Sequence, residues 1–159
     1  MIFRLLLLGH LLGVIVWVGG MFFAHFALRP SAAEILEPPD RLRLMGAALG
    51  RFFSWVEASI VLILASGIGM MMILGHERSM FAVPAYVHLM FALGLVMVAI
   101  FGHIRFAPFK RLSAAVAASD WPAAGNALAQ IRTLVTLNLC LGLVTTLVGA
   151  AGPGLVALG

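Results

Sequence analysis

The stretch His10-Leu-Leu-Gly-Val-Ile-Val-Trp-Val-Gly-Gly-Met-Phe-Phe-Ala-His25 contains no charged residue and is long enough to span most of a lipid bilayer. A membrane-crossing helix needs about 20 predominantly apolar residues, and the run around this stretch extends over about 5–28. Three more runs qualify, at about 52–74, 84–106 and 134–151. The first run is too long for a signal peptide and is not followed by a small-x-small cleavage site.

Composition agrees. Of 159 residues, 63% are hydrophobic and 10% charged, against about 25% charged in a soluble domain. Mean hydropathy is +1.12. A soluble globular domain and a disordered chain are excluded, and one cysteine, Cys140, excludes a disulfide scaffold. Nucleic-acid binding is not expected. The net charge is only +4, and the basic residues flank apolar runs, as in membrane proteins. The expected fold is all-α: an integral membrane four-helix bundle forming a single membrane domain over residues 1–159.

Charge orients the bundle. Arg29, Arg41, Arg43 and Arg51 border the first connection, and Arg105, Lys110, Arg111 and Arg132 the third. The opposite side has Arg4 and Arg78. The positive-inside rule then predicts a multi-pass protein of a bacterial-type inner (plasma) membrane, with both termini outside the cytoplasm. Asp40 is positioned to cap an extension of helix two. The segment 112–129, with Asp120-Trp121-Pro122 in it, reads as an interfacial helix followed by a capped entry into helix four.

Ionisable side chains inside spans are costly and point to function. Helix one carries His10 and His25, and helix three His88 and His103; His76 falls in the outer turn. Both in-span pairs are separated by 15 residues, which in an α-helix rise about 22 Å and rotate about 60° net. Helices one and three cross in the same direction. If they face each other, His10 meets His88 near one membrane face and His25 meets His103 near the other. Opposed imidazoles suit haem iron, whose porphyrin supplies the other four nitrogens, whereas a lone zinc or copper ion held by two histidines is under-coordinated. Gly13 and Gly20 on helix one, with Ala24, and Ala92, Ala99 and Gly102 on helix three, leave room for a porphyrin or for close helix packing. Both segments read His, fourteen residues, His, four residues, Pro, which suggests an internal duplication.

The order His10, Gly13, Trp17, Gly19-Gly20, then Arg29-Pro30, resembles the copper-resistance D (CopD) family of membrane proteins. It is also similar to the first span of HemJ-type protoporphyrinogen oxidase. The first resemblance implies copper handling by the membrane core, and the second implies haem ligation by His10. A second HemJ-type histidine would fall near Ser31, where this chain departs from the pattern.

Other residues complete the expectation. Glu57, inside helix two, reads as a proton carrier or quinol ligand, or as a partner of Arg51. Arg51 and Arg105 are placed to hold haem propionates, and Trp17 lies between the two levels. Met70-Met71-Met72, Met80 and Met90 suggest Cu(I), although consecutive helical residues point about 100° apart. Asn138 is a candidate interhelical hydrogen-bonder and Cys140 a small packing residue. The sequence therefore predicts a membrane b-type cytochrome with two haem b groups. Quinol or quinone and a periplasmic redox protein are the expected partners, quinol-linked oxidoreductase activity is the expected chemistry, and a homo-oligomer is an expected assembly. A CopD-like copper transporter and a HemJ-like porphyrinogen oxidase are the alternatives.

Overall fold

The computed structural model describes residues 1–75 and 82–157. His76, Arg78 and Met80 of the outer turn lie outside the described residues. Five helices account for nearly all the rest: α1 (Ile2–Ile35), α2 (Pro38–Gly75), α3 (Ala85–Phe106), α4 (Pro108–Ala117) and α5 (Trp121–Ala157). Of these, α1, α2, α3 and α5 are long and apolar enough to cross a membrane, and the chain is an all-α, multi-pass membrane four-helix bundle.

The helices outrun their apolar segments. At 1.5 Å per residue α2 is about 57 Å long, well beyond a bilayer core of about 30 Å. It starts at Pro38, so the extension of helix two expected ahead of the apolar run is present, with Asp40 in its first turn bonded to Arg43 at 3.0 Å. The expected interfacial helix over 112–129 divides differently. Pro108 opens α4, which ends at Ala117, and Ser119 turns the chain with φ 56°. Asp120 then caps α5 by accepting the Ala123 N–H at 3.0 Å. Residues 121–129 thus belong to the crossing helix, because the cap at Asp120 starts a helix that nothing interrupts.

Packing follows the small residues. α1 runs along α2, and α3 and α4 run along α5. A Cβ on Gly13 would sit 2.7 Å from Ile63 Cγ1 and 3.2 Å from the Ser59 carbonyl oxygen, and one on Gly20 would overlap the Phe52 ring. These glycines therefore face α2 and serve helix packing. Gly13→Ala should destabilise by about 1 kcal/mol, since backbone and a β-branched side chain must both yield. Unfolding of the detergent-solubilised variant by denaturant checks this, and an unchanged midpoint would show that the helices separate freely at Gly13.

The core gathers Trp17 and Met21 of α1, Phe53 and Val56 of α2, Met97, Phe101 and Ile104 of α3, Leu112 of α4, and Ile131 and Leu139 of α5. Trp17 is 3% exposed and lies edge-on to Phe101, with ring centroids 6.2 Å apart.

Candidate functional site

Helix one is not a uniform α-helix. Two π-helical turns, Ile15–Gly19 and Ala24–Leu28, interrupt it. Each absorbs one extra residue, setting the following segment back by about 100° relative to an unbroken α-helix. The turn at Ile15–Gly19 lies between His10 and His25 and takes their net offset from about 60° one way to about 40° the other, and the two imidazoles meet different helices.

His10, half-buried, faces α2. Its Nδ1 lies 3.1 Å from the Ile63 carbonyl oxygen and 3.2 Å from Ser66 Oγ. A carbonyl only accepts, and the Ser66 hydroxyl donates to the Leu62 carbonyl at 2.6 Å. Nδ1 must therefore carry the proton, and the lone pair is on Nε2. Gly67 makes the space: a Cβ there would come to 3.4 Å from His10 Cε1.

His25, also half-buried, faces α5, with Nδ1 3.3 Å from Thr136 Oγ1. The Thr136 hydroxyl donates to the Arg132 carbonyl at 2.9 Å, so it accepts from His25. Nδ1 is therefore the donor, and in the neutral ring Nε2 carries the lone pair. Fixing Nδ1–H on an oxygen acceptor is the usual way a protein orients a metal-binding imidazole.

The histidines of α3 are placed differently. His88 and His103 lie on one exposed face of the helix, with Ala92 and Ala99 between them. Their 15-residue spacing does keep them in line, because α3 has no π-turn. However, α1 and α3 do not run along each other. They meet at midspan through Trp17 and Phe101, and the hydrogen bonds of His10 and His25 go to α2 and α5 rather than to the histidines of α3.

Glu57 accepts a hydrogen bond from Arg105 Nε at 2.8 Å. Its partner is thus Arg105 of α3, which also lies over the Phe109 ring at 5.4 Å, rather than Arg51, which is exposed. Of the methionine run, Met71 is buried, Met70 half-buried and Met72 exposed, so the three face different ways. Met90 instead packs on α5, its Cε 2.9 Å from where a Cβ on Gly149 would be. Cys140 is exposed rather than packed inside. Asn138 is 1% exposed, and its Oδ1 has no hydrogen-bond partner among the described residues. No three His, Cys, Asp or Glu side chains among the described residues gather to hold a metal ion.

One feature was not legible in the sequence. At the end that carries the first and third connections, α1, α2 and α5 surround a cavity of about 270 Å³ reached by His25, Arg29, Arg41 and Arg132. In the sequence these arginines register only as positive charge beside a membrane span. Ser66 and Thr136, which orient the two histidines, give no signal either.

The family model for copper resistance protein D matches residues 46–151, two thirds of the chain. The match covers α3, α4 and most of α2 and α5. The first-span motif, which carries the resemblance noted above, lies before it. No curated protein and no solved structure matches the chain, so the similarity of the first span to HemJ has no counterpart here.

Proposed function

The chain belongs to the copper resistance protein D family, and from that premise we propose that it handles copper within the membrane, with the imidazoles of α1 as ligands. The observation that carries the reading is the tautomer of His10 and His25, each held by Nδ1 with Nε2 available. Copper is the cargo here, not a resident cofactor. Cu(I) favours imidazole and thioether over carboxylate. Met21, Met97 and Met45 are 2%, 4% and 5% exposed within the core, offering neutral soft donors deeper in the bundle than His10. The charge asymmetry supports a topology with His25 near the cytoplasmic face and His10 near the outer one.

The test is Cu(I) titration of the purified protein against a chromogenic chelator. His10→Ala and His25→Ala should each weaken binding by tenfold or more, and Thr136→Val by about tenfold, the usual effect of losing an orienting partner. Parent-like affinity in both histidine variants would refute the assignment.

A second reading rests on α3, whose face carries His88, Ala92, Ala99 and His103 in one line. That line suits haem b between this face and a further histidine-bearing helix, in a b-type cytochrome exchanging electrons with quinone. A visible spectrum separates the readings. A Soret band that shifts on dithionite reduction favours haem; a colourless protein that retains copper favours the first reading.

A further inference from the structure

The basic cavity brings together side chains from three separate segments. Arg29 comes from the end of α1, Arg41 from the extension of α2, and Arg132 from α5, with His25 beside them. The positive-inside rule explains why such residues border the connections. It does not explain why arginines from three separate segments should line one cavity, where like charges repel.

No acid among the described residues forms an ion pair with them. Two ion pairs form among the described residues, Arg43 with Asp40 and Arg105 with Glu57. Glu34 lines an adjoining opening with Arg29 and His25 but pairs with neither. The cavity lining itself thus holds three arginines and no acid.

Its floor is apolar. Leu42, Leu49, Ile131 and Val135 line it and are 5%, 4%, 1% and 8% exposed, so it descends into the hydrophobic core. Positive charge above an apolar floor, at the edge of the membrane span, matches an amphiphile with an anionic head. Guanidinium groups bind phosphate oxygens in a bidentate fashion, and basic pockets between membrane helices hold lipid headgroups.

We propose that this pocket binds the phosphate headgroup of an anionic membrane lipid, with the acyl chains following the apolar wall between α1 and α5. The bound phosphate supplies the counter-charge that the cavity lining lacks and ties together the ends of α1, α2 and α5. The proposal is independent of the copper reading, and its test leaves His25 intact.

The experiment is native mass spectrometry of the full chain, purified in detergent, with phosphatidylglycerol or phosphatidylcholine added. Phosphatidylglycerol should bind at least tenfold more tightly. Arg29→Gln, Arg41→Gln and Arg132→Gln should each weaken it by about fivefold, the effect of one basic group near a charged lipid surface. Together they should abolish the preference. The pair Lys110→Gln and Arg111→Gln, which removes two charges at the same end but outside the cavity, should keep it. Equal binding of both lipids would overturn the proposal, as would an equal loss in the Lys110/Arg111 variant, which would indicate diffuse surface attraction. Displacement of phosphatidylglycerol by millimolar inorganic phosphate would also overturn it, in favour of a soluble anion. Helical content by circular dichroism shows whether the triple variant folds; if it does not, the single variants decide.

Discussion

Phe53→Ala should lower the stability of the bundle by about 3 kcal/mol, the lower end of the range for a buried phenylalanine. Phe53 is 2% exposed and its ring contacts three others. Phe101 of α3 lies at 5.5 Å and 85°, Phe109 of α4 at 5.0 Å and 72°, and the neighbouring Phe52 at 6.2 Å. The edge-to-face arrangements add to ordinary contact energy. The lower end applies because lipid is as apolar as a helix interior, so expulsion of water contributes little and lost dispersion dominates. Reversible denaturation in mixed micelles measures the loss. A change under about 1 kcal/mol would mean that α2, α3 and α4 are not joined at this ring.

Glu57→Gln should cost about 2 kcal/mol by leaving the Arg105 guanidinium without its carboxylate. Removing one partner of a fully buried pair costs about 3–5 kcal/mol. The Arg105 and Glu57 side chains are 32% and 47% exposed, which lowers the figure, while the flanking lipid keeps it above that of a pair in water. A double-mutant cycle with Arg105→Gln isolates the coupling. If the double variant were no more stable than the sum of the two single losses predicts, the 2.8 Å contact would contribute nothing. An unchanged stability in Glu57→Gln, with a slowed response to a quinol analogue, would assign the carboxylate to proton transfer.

The four crossings were legible because bilayer thickness imposes an apolar length that few other structures need. Helix ends were less so. Pro38-Pro39-Asp40 reads equally well as a break or as the first turn of a helix, and only the structure shows α2 starting there. The histidines were legible as unusual residues at matched depth, but not in their partners. The π-turns at Ile15–Gly19 and Ala24–Leu28 leave no compositional mark, so a uniform 100° step misplaces everything beyond them. The orientation of α1 is set by Gly13 against Ile63 and Gly20 against Phe52, and by Thr136 receiving His25. Those are relations between distant parts of the chain, which a one-dimensional pattern does not contain. The arginine cavity escaped for the same reason: it exists because α2 continues as far as Arg41.

The two π-turns also determine which kinds of genetic change helix one can absorb. Substitutions between Val14 and Gly20 alter a side chain and leave the backbone phase alone. A one-residue deletion there would remove the surplus residue, convert the π-turn to an α-turn and leave the inner segment in its present phase. It would leave His25 on Thr136 and Arg29 at the cavity rim, as His10 keeps its place on Ile63 and Ser66, whereas a one-residue deletion in the α-helical stretch Ile2–Val14 would turn the two halves against each other by about 100°. A loss of one residue is therefore the change of length this segment is expected to absorb. The helix behaves as two separately indexed gears on one shaft, and the extra residue in the short stretch that joins them is slack that a one-residue loss takes up.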